Sequence, residues 1–251
     1  MTRLLTLVYA IATYVLSLAV LVYAIGFFVD LSVPKGIDGG SAAPIPVAVG
    51  VDLLLLLLFA VQHTVMARSW FKRRWTLVVP AAAERTTFVL AATAVLALVL
   101  WQWRPLPGTV WSLSGPPGAL LLVVYAAGWA LAIGSTFAID HLDLFGVRQA
   151  FRFARGADSP HPVPFTERGP YRLVRHPLMT GFLLVFWAAP TMTVGHLVFA
   201  AGGTGYVLVG IAMEERDLRA SLGDVYRAYA ERVPALIPLP RVMGRRLRER
   251  A

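Results

Sequence analysis

GPYRLVRHPLMTGFLL, residues 169–184, sets Arg175, His176 and Pro177 directly before a run of apolar residues. Arg and His are costly within a bilayer, and Pro is disfavoured inside a helix but well suited to its first position. The triplet therefore marks a threshold, with a helix beginning at Pro177 and entering apolar surroundings. The fold depends on how many other segments do the same.

Of the 251 residues, 57% are hydrophobic and only 15% charged, and the mean hydropathy is +0.66. That balance places the chain with polytopic membrane proteins. Predominantly apolar spans run over Leu4–Val29, Val47–Met66, Thr86–Trp103, Gly118–Ile139, Leu178–Val194 and Leu197–Met213, each near the ~20 residues a transmembrane helix needs. The first is too long for the apolar part of a signal peptide and reads as a retained anchor. The last two are short and separated only by Gly195 and His196, so they read as a tight helical hairpin. The expected fold is an all-α polytopic integral membrane protein: four transmembrane helices plus a C-terminal helical hairpin, five to six spans in total.

With the N-terminus inside, 21 of the 23 Lys and Arg residues fall on the cytoplasmic side, leaving Lys35 and Arg104 outside. The positive-inside rule then predicts an inner-membrane protein with both termini cytoplasmic. Membrane lipid is one expected partner. The net charge of +9 does not point to nucleic acid, because the basic residues form no continuous aromatic-basic face. The chain has no cysteine, which excludes disulfides, thiolate metal sites and a cysteine nucleophile. The five histidines show no ligand spacing such as HxxxH, so no metal site is expected.

Two polar stretches lie on the predicted cytoplasmic side. Residues 140–175 contain the turn-rich GADSPHPVP (156–164), with a short helix expected across Gly146–Arg155; EERDLRASLGDVYRAYAERVP (214–234) reads as a charged helix continuing the last span and ended by Pro234. Arg245, Arg246, Arg248 and Arg250 form a basic tail suited to lipid headgroups.

GPYRLVRHPLMTG, followed by EERDL, LGDVYRAYAERVP and IP, resembles the isoprenylcysteine carboxyl methyltransferase superfamily of membrane methyltransferases. VQHTVMARSWFK (61–72), ER (84–85) and IDHLDLFGVRQ (139–149) extend the resemblance over most of the chain, toward the methanethiol S-methyltransferase branch. The resemblance implies a cytoplasmic pocket for S-adenosyl-L-methionine beneath the hairpin, with Tyr171, His176, Pro177, Met179, Glu214, Phe165 and Thr166 as cofactor contacts. It also implies a division into N-terminal transmembrane helices (1–139) and a methyltransferase region (140–251) within one compact unit. Two departures from the superfamily pattern bear on the substrate. Met179 replaces a tyrosine, and Gly210 stands where the prenylcysteine enzymes carry an arginine for the substrate carboxylate. A small thiol, methanethiol becoming dimethyl sulfide, is therefore the expected acceptor. A lipid or prenyl-type acceptor, or a haem-binding isomerase-like protein of the denitrification-associated group, are the alternatives.

Methylating a thiol requires thiolate, and simple thiols are weak acids, so a base or a cation is needed. Ionisable residues gathered at the inner ends of the second and fourth spans suit that need. The expected catalytic group is His141, poised by Asp140 or Asp143, with Arg148 or Arg175 stabilising thiolate and His63 on the substrate side. Each has a plainer reading: a helix cap for His141 and Asp143, a hydrogen-bonded packing residue for His63, a headgroup anchor for Arg175. His161 and His196 lie in a Pro-rich loop and a far-side turn, and neither is expected to take part.

Overall fold

A computed structural model describes residues 2–157 and 165–238. His161, most of the 156–164 turn stretch, Val163 and the basic tail at 245–250 lie outside the described residues.

Among the described residues, five helices are long and apolar enough to cross a bilayer: α1 (Arg3–Phe27), α2 (Ile45–Ala67), α4 (Ala81–Gln102), α5 (Gly115–Ile139) and α9 (Val194–Leu222). Their starts carry local signals. The Thr2 side chain accepts from Leu5 N–H at the head of α1, Thr193 does the same for His196 at the head of α9, and prolines open α2 and α5. Shorter helices complete the set: α3 (Ser69–Trp75), α6 (His141–Leu144), α7 (Val147–Ala154), α8 (Pro177–Trp187) and α10 (Asp224–Arg232). Around the bundle α1 packs on α4, α4 on α2, α2 on α9, α9 on α8 and α8 on α5. The Tyr125 hydroxyl donates to Ile25 O, tying α5 back to α1.

The architecture is the expected all-α polytopic membrane fold, but the hairpin differs. Its first arm, α8, has 11 residues, about 16 Å of helix against a ~30 Å hydrocarbon core. Beyond α8 the chain continues in extended form, and β2 (Thr191–Thr193) pairs antiparallel with β1 (Thr109–Ser112) at the end away from the basic loops. Unwound backbone is tolerated at membrane depth only where protein satisfies it. Here Trp111 Nε1 donates to Ala189 O at 3.0 Å, Leu113 N to Pro190 O at 2.9 Å, and a ring nitrogen of His196 lies 3.0 Å from Phe186 O. His196, fully buried, thus satisfies the backbone at this turn.

The charged C-terminal helix is also interrupted. Gly223 takes φ +56° and ψ −125° between α9 and α10, a conformation open essentially to glycine.

The aromatic core, built on Phe27, Phe28, Trp103, Tyr125, Trp129 and Phe199, fills the half of the bundle near the β ladder. The polar chemistry is left to the other, basic end.

Candidate active site

A cleft of about 920 Å³ opens at the basic end between α2 and α9. Its α2 side offers His63, Thr64, Ala67 and Arg68; its α9 side offers Tyr206, Gly210, Met213, Glu214 and Asp217; Met179 enters from α8. The α9 residues recur every three or four positions, so a single helix face supplies them. Two cross-links join the walls. Deep in the cleft the Tyr206 hydroxyl lies 2.7 Å from His63 Nδ1. At the rim Arg68 pairs with Asp217 at 2.9 Å.

The RHP threshold stands behind this cleft. Glu214 and Glu215 are successive residues on α9 and face different ways. Glu214 lines the cleft, with His176 Nδ1 3.5 Å from its carboxylate. Glu215 turns inward and is buried: its Oε1 accepts from Arg175 Nε at 2.8 Å and lies 3.2 Å from His176 Nε2, while Oε2 accepts from Arg219. Arg175 also donates to the carbonyls of Ala230 and Val233, and its backbone N–H donates to Pro234 O. Its guanidinium therefore clamps α8, α9 and the end of α10 together rather than facing the cleft. Tyr226 and Tyr229 are buried beneath it, and the Tyr229 hydroxyl donates to Tyr171 O at 2.7 Å. Burial pushes the Tyr229 phenol up to about 12 and raises that of Tyr171, with Glu214 adding to the effect; both remain neutral. Phe165 packs its ring against Tyr226 and Tyr229, and Thr166 closes a turn by accepting from Arg168 N–H.

Of the residues singled out in the sequence, His63, Met179 and Glu214 thus meet in one cleft, with His176 and Pro177 adjoining it through Glu214. The remainder assemble elsewhere. Asp140 caps α6 by accepting from Asp143 N–H and pairs with Arg148 at 2.6 Å. Asp143 exerts its charge on Arg85, which donates to Leu144 O. His141 is buried with both ring nitrogens engaged, Nε2 with the Tyr14 hydroxyl at 3.0 Å and Nδ1 with Thr136 Oγ1 at 2.7 Å, and its ring stacks on Phe137. It does not line the cleft; it fastens α1 to the end of α5. Among the described residues no cluster of three His, Cys, Asp or Glu side chains could hold a metal ion.

This placement has a pH consequence. Burial holds the His141 imidazole below its ordinary value of 6.5, with Asp140 pulling the other way. A depressed histidine contributes its full stability above 6.5 and loses it as pH falls, because the unfolded chain then binds the proton more readily. The melting temperature in detergent is expected to drop more between about pH 7 and pH 5 in the wild type than in His141→Gln. Equal drops would remove His141 from the acid sensitivity.

Tyr206, Met213, Arg68 and Asp217 were not singled out from the sequence, whereas Glu215 was one of the positions matching the superfamily motif. The helical spacing of residues 206, 210, 213, 214 and 217 was the available signal for the α9 face.

The fold and the cleft define a polytopic membrane protein with carboxylates, a histidine and thioether side chains gathered in one site at its basic end. The comparisons narrow this class. The chain is 49% identical over 246 residues to methanethiol S-methyltransferase of Mycobacterium tuberculosis, covering 96% of this chain and 98% of the relative. It is 49% identical to methanethiol S-methyltransferase 2 of Bradyrhizobium diazoefficiens, covering 97% and 93% respectively. More distantly, it is 27% identical to nurim of Xenopus laevis over 73% of this chain and 71% of nurim. No family model and no solved structure matches. The chain belongs to the methanethiol S-methyltransferase family.

Proposed function

We propose that this protein methylates methanethiol to dimethyl sulfide, using S-adenosyl-L-methionine taken from the cytoplasm, and that it lies in the cell membrane with its basic end inside. The observation that carries this reading is the α2–α9 cleft, which brings the Glu214 and Asp217 carboxylates together with the apolar Met179 and Met213 side chains.

The cleft fits such a donor. Its volume of about 920 Å³ lies in the ~300–1,000 Å³ range of small-molecule sites. Glu214 and Asp217 supply carboxylates for an ammonium group or ribose hydroxyls. Arg68 Nε is buried without a hydrogen-bond partner among the described residues and offers a donor to a carboxylate. Met179, Met213 and Tyr206 give polarizable and aromatic surface suited to a sulfonium. When bound, the donor supplies a methyl group on positively charged sulfur. The protein's part is to hold that carbon in line with the thiol sulfur, exclude competing water and take up the thiol proton. His176, at the head of α8, lies 3.5 Å from the Glu214 carboxylate. Gly210 leaves open space where a guanidinium would serve a carboxylate substrate, which favours a small neutral acceptor. Methanethiol is apolar enough to arrive through lipid.

Headspace detection of dimethyl sulfide from purified protein given both reagents tests the activity, and product is expected only when both are present. Glu214→Ala is expected to weaken donor binding by about 10- to 100-fold in calorimetry, the scale of one or two charge-assisted hydrogen bonds. Unchanged affinity would take Glu214 out of the donor site. Reporter fusions at the two ends of α2 test the orientation, with the Ala67 end expected inside.

A further inference from the structure

We propose that His63 is the base that takes the proton from the thiol, and that Tyr206 is the positioning residue that sets its ring. This inference rests on the thiol methylation proposed above.

His63 is near the basic end of α2 and lines the cleft together with Met179, Met213 and Glu214. Its ring is fixed on three sides. Phe59 stacks on one face, 18° from parallel with centroids 5.5 Å apart, Phe88 packs at 5.0 Å, and the Tyr206 hydroxyl sits 2.7 Å from Nδ1. Nε2 has no hydrogen-bond partner among the described residues. The role requires the tautomer in which Nδ1–H donates to the Tyr206 oxygen, which puts the lone pair on Nε2, the ring nitrogen turned to neither Phe59 nor Tyr206. His141 offers no such atom, since both of its nitrogens are engaged. Of the arginines weighed for stabilising thiolate, Arg175 is held by Glu215 and Arg148 by Asp140, while Arg68 uses Nη1 on Asp217 and Arg73 also lines the cleft.

The step balances without another reagent. The S–H bond breaks and its proton moves to His63 Nε2. The thiolate sulfur forms a bond to the methyl carbon, the carbon's bond to the sulfonium sulfur breaks, and that electron pair stays on the departing neutral thioether. The imidazolium keeps its Nδ1–H bond to Tyr206 and returns its proton to water through the open cleft. A positioned general base contributes roughly 100- to 10,000-fold.

An acceptor that is already ionised bypasses the base. Methaneselenol has the shape of methanethiol but is far more acidic and is selenolate near neutral pH. The test measures methylation of both acceptors by wild type, His63→Gln and Tyr206→Phe, with donor binding followed by calorimetry and folding by melting temperature. His63→Gln is expected to lose at least about 100-fold in methanethiol turnover, to retain most selenol turnover, and to bind donor normally. Tyr206→Phe is expected to lower kcat for methanethiol and move its pH profile while sparing the selenol. Equal losses on both acceptors, or no loss on methanethiol, would overturn the assignment. If the wild type methylates neither acceptor, the thiol methyltransferase reading itself fails, which is a separate result. Should His63→Gln not fold, His63→Asn with added imidazole replaces it; recovery of methanethiol turnover without change on the selenol supports the base, and absence of recovery in a folded variant overturns it.

Discussion

Glu215→Ala is expected to cost about 3–5 kcal/mol and to leave little folded protein in detergent, because it strands the Arg175 guanidinium in the interior without its counter-charge. The Glu215 and Arg175 side chains are 9% and 11% exposed, and they meet through two guanidinium nitrogens on one carboxylate oxygen. His176 approaches the same oxygen, and Arg219 takes the other. Removing the carboxylate leaves Arg175 facing only the carbonyls of Ala230 and Val233, which cannot neutralise it. A control comes from the same cluster: the Arg219 side chain is 52% exposed, so Arg219→Ala should cost at most about 1 kcal/mol. Thermal unfolding followed by size-exclusion chromatography reads both. A Glu215→Ala protein as stable as Arg219→Ala would mean that the Arg175 clamp does not hold α8, α9 and α10 together. The neighbouring Glu214→Ala changes donor affinity instead, since that side chain lines the cleft.

The contrast between these two glutamates shows where sequence reading reached its limit. EER announces a charged site, but the 100° step between successive helical residues assigns one glutamate to the cleft and the other to the interior, and only the packing of α10 decides which. The transmembrane spans were legible because each carries its signal locally, as an apolar run with a capping Thr or Pro at its start. The threshold at Pro177 was legible for the same reason. The short α8 arm was only partly so: Pro190 marks a break near its end, but the pairing of Thr191 with Ser112 that takes up the following residues is remote in sequence and invisible to local periodicity. His141 illustrates the same limit. Its neighbours Asp140 and Asp143 suggest a catalytic cluster, whereas the partner that occupies its Nε2 is Tyr14, 127 positions away. Among the site residues, His63, Met179, Glu214 and His176 could be picked out by type and motif. Tyr206 could be found only by following one face of α9.

Two glycines are expected to respond in opposite ways to the same substitution, and the pair separates what the fold needs from what the site needs. Gly181 in α8 faces Gly128 in α5 so closely that a Cβ on Gly181 would lie 2.6 Å from Gly128 O and 2.7 Å from Ala132 N. Those obstacles are backbone, which cannot rotate away, so Gly181→Leu must push the helices apart. Overpacking of this kind costs roughly 1–3 kcal/mol or more, and here it also moves His176 and Met179 on the displaced helix. Gly210 is in the reverse situation. A Cβ there meets nothing within 4 Å, and the residue lies on the cleft wall. Replacing a helical glycine removes a conformational penalty of about 0.5–1 kcal/mol, so Gly210→Leu is expected to melt no lower than the wild type. Its side chain would nevertheless occupy the cleft between His63 and Glu214, and dimethyl sulfide production is expected to fall by more than about 100-fold, as misplacement of reacting groups by an ångström already costs that much. Measured side by side, Gly181→Leu should lose folded protein and Gly210→Leu should lose turnover with the fold intact. If Gly210→Leu remained fully active, the reaction would have to take place outside the α2–α9 cleft.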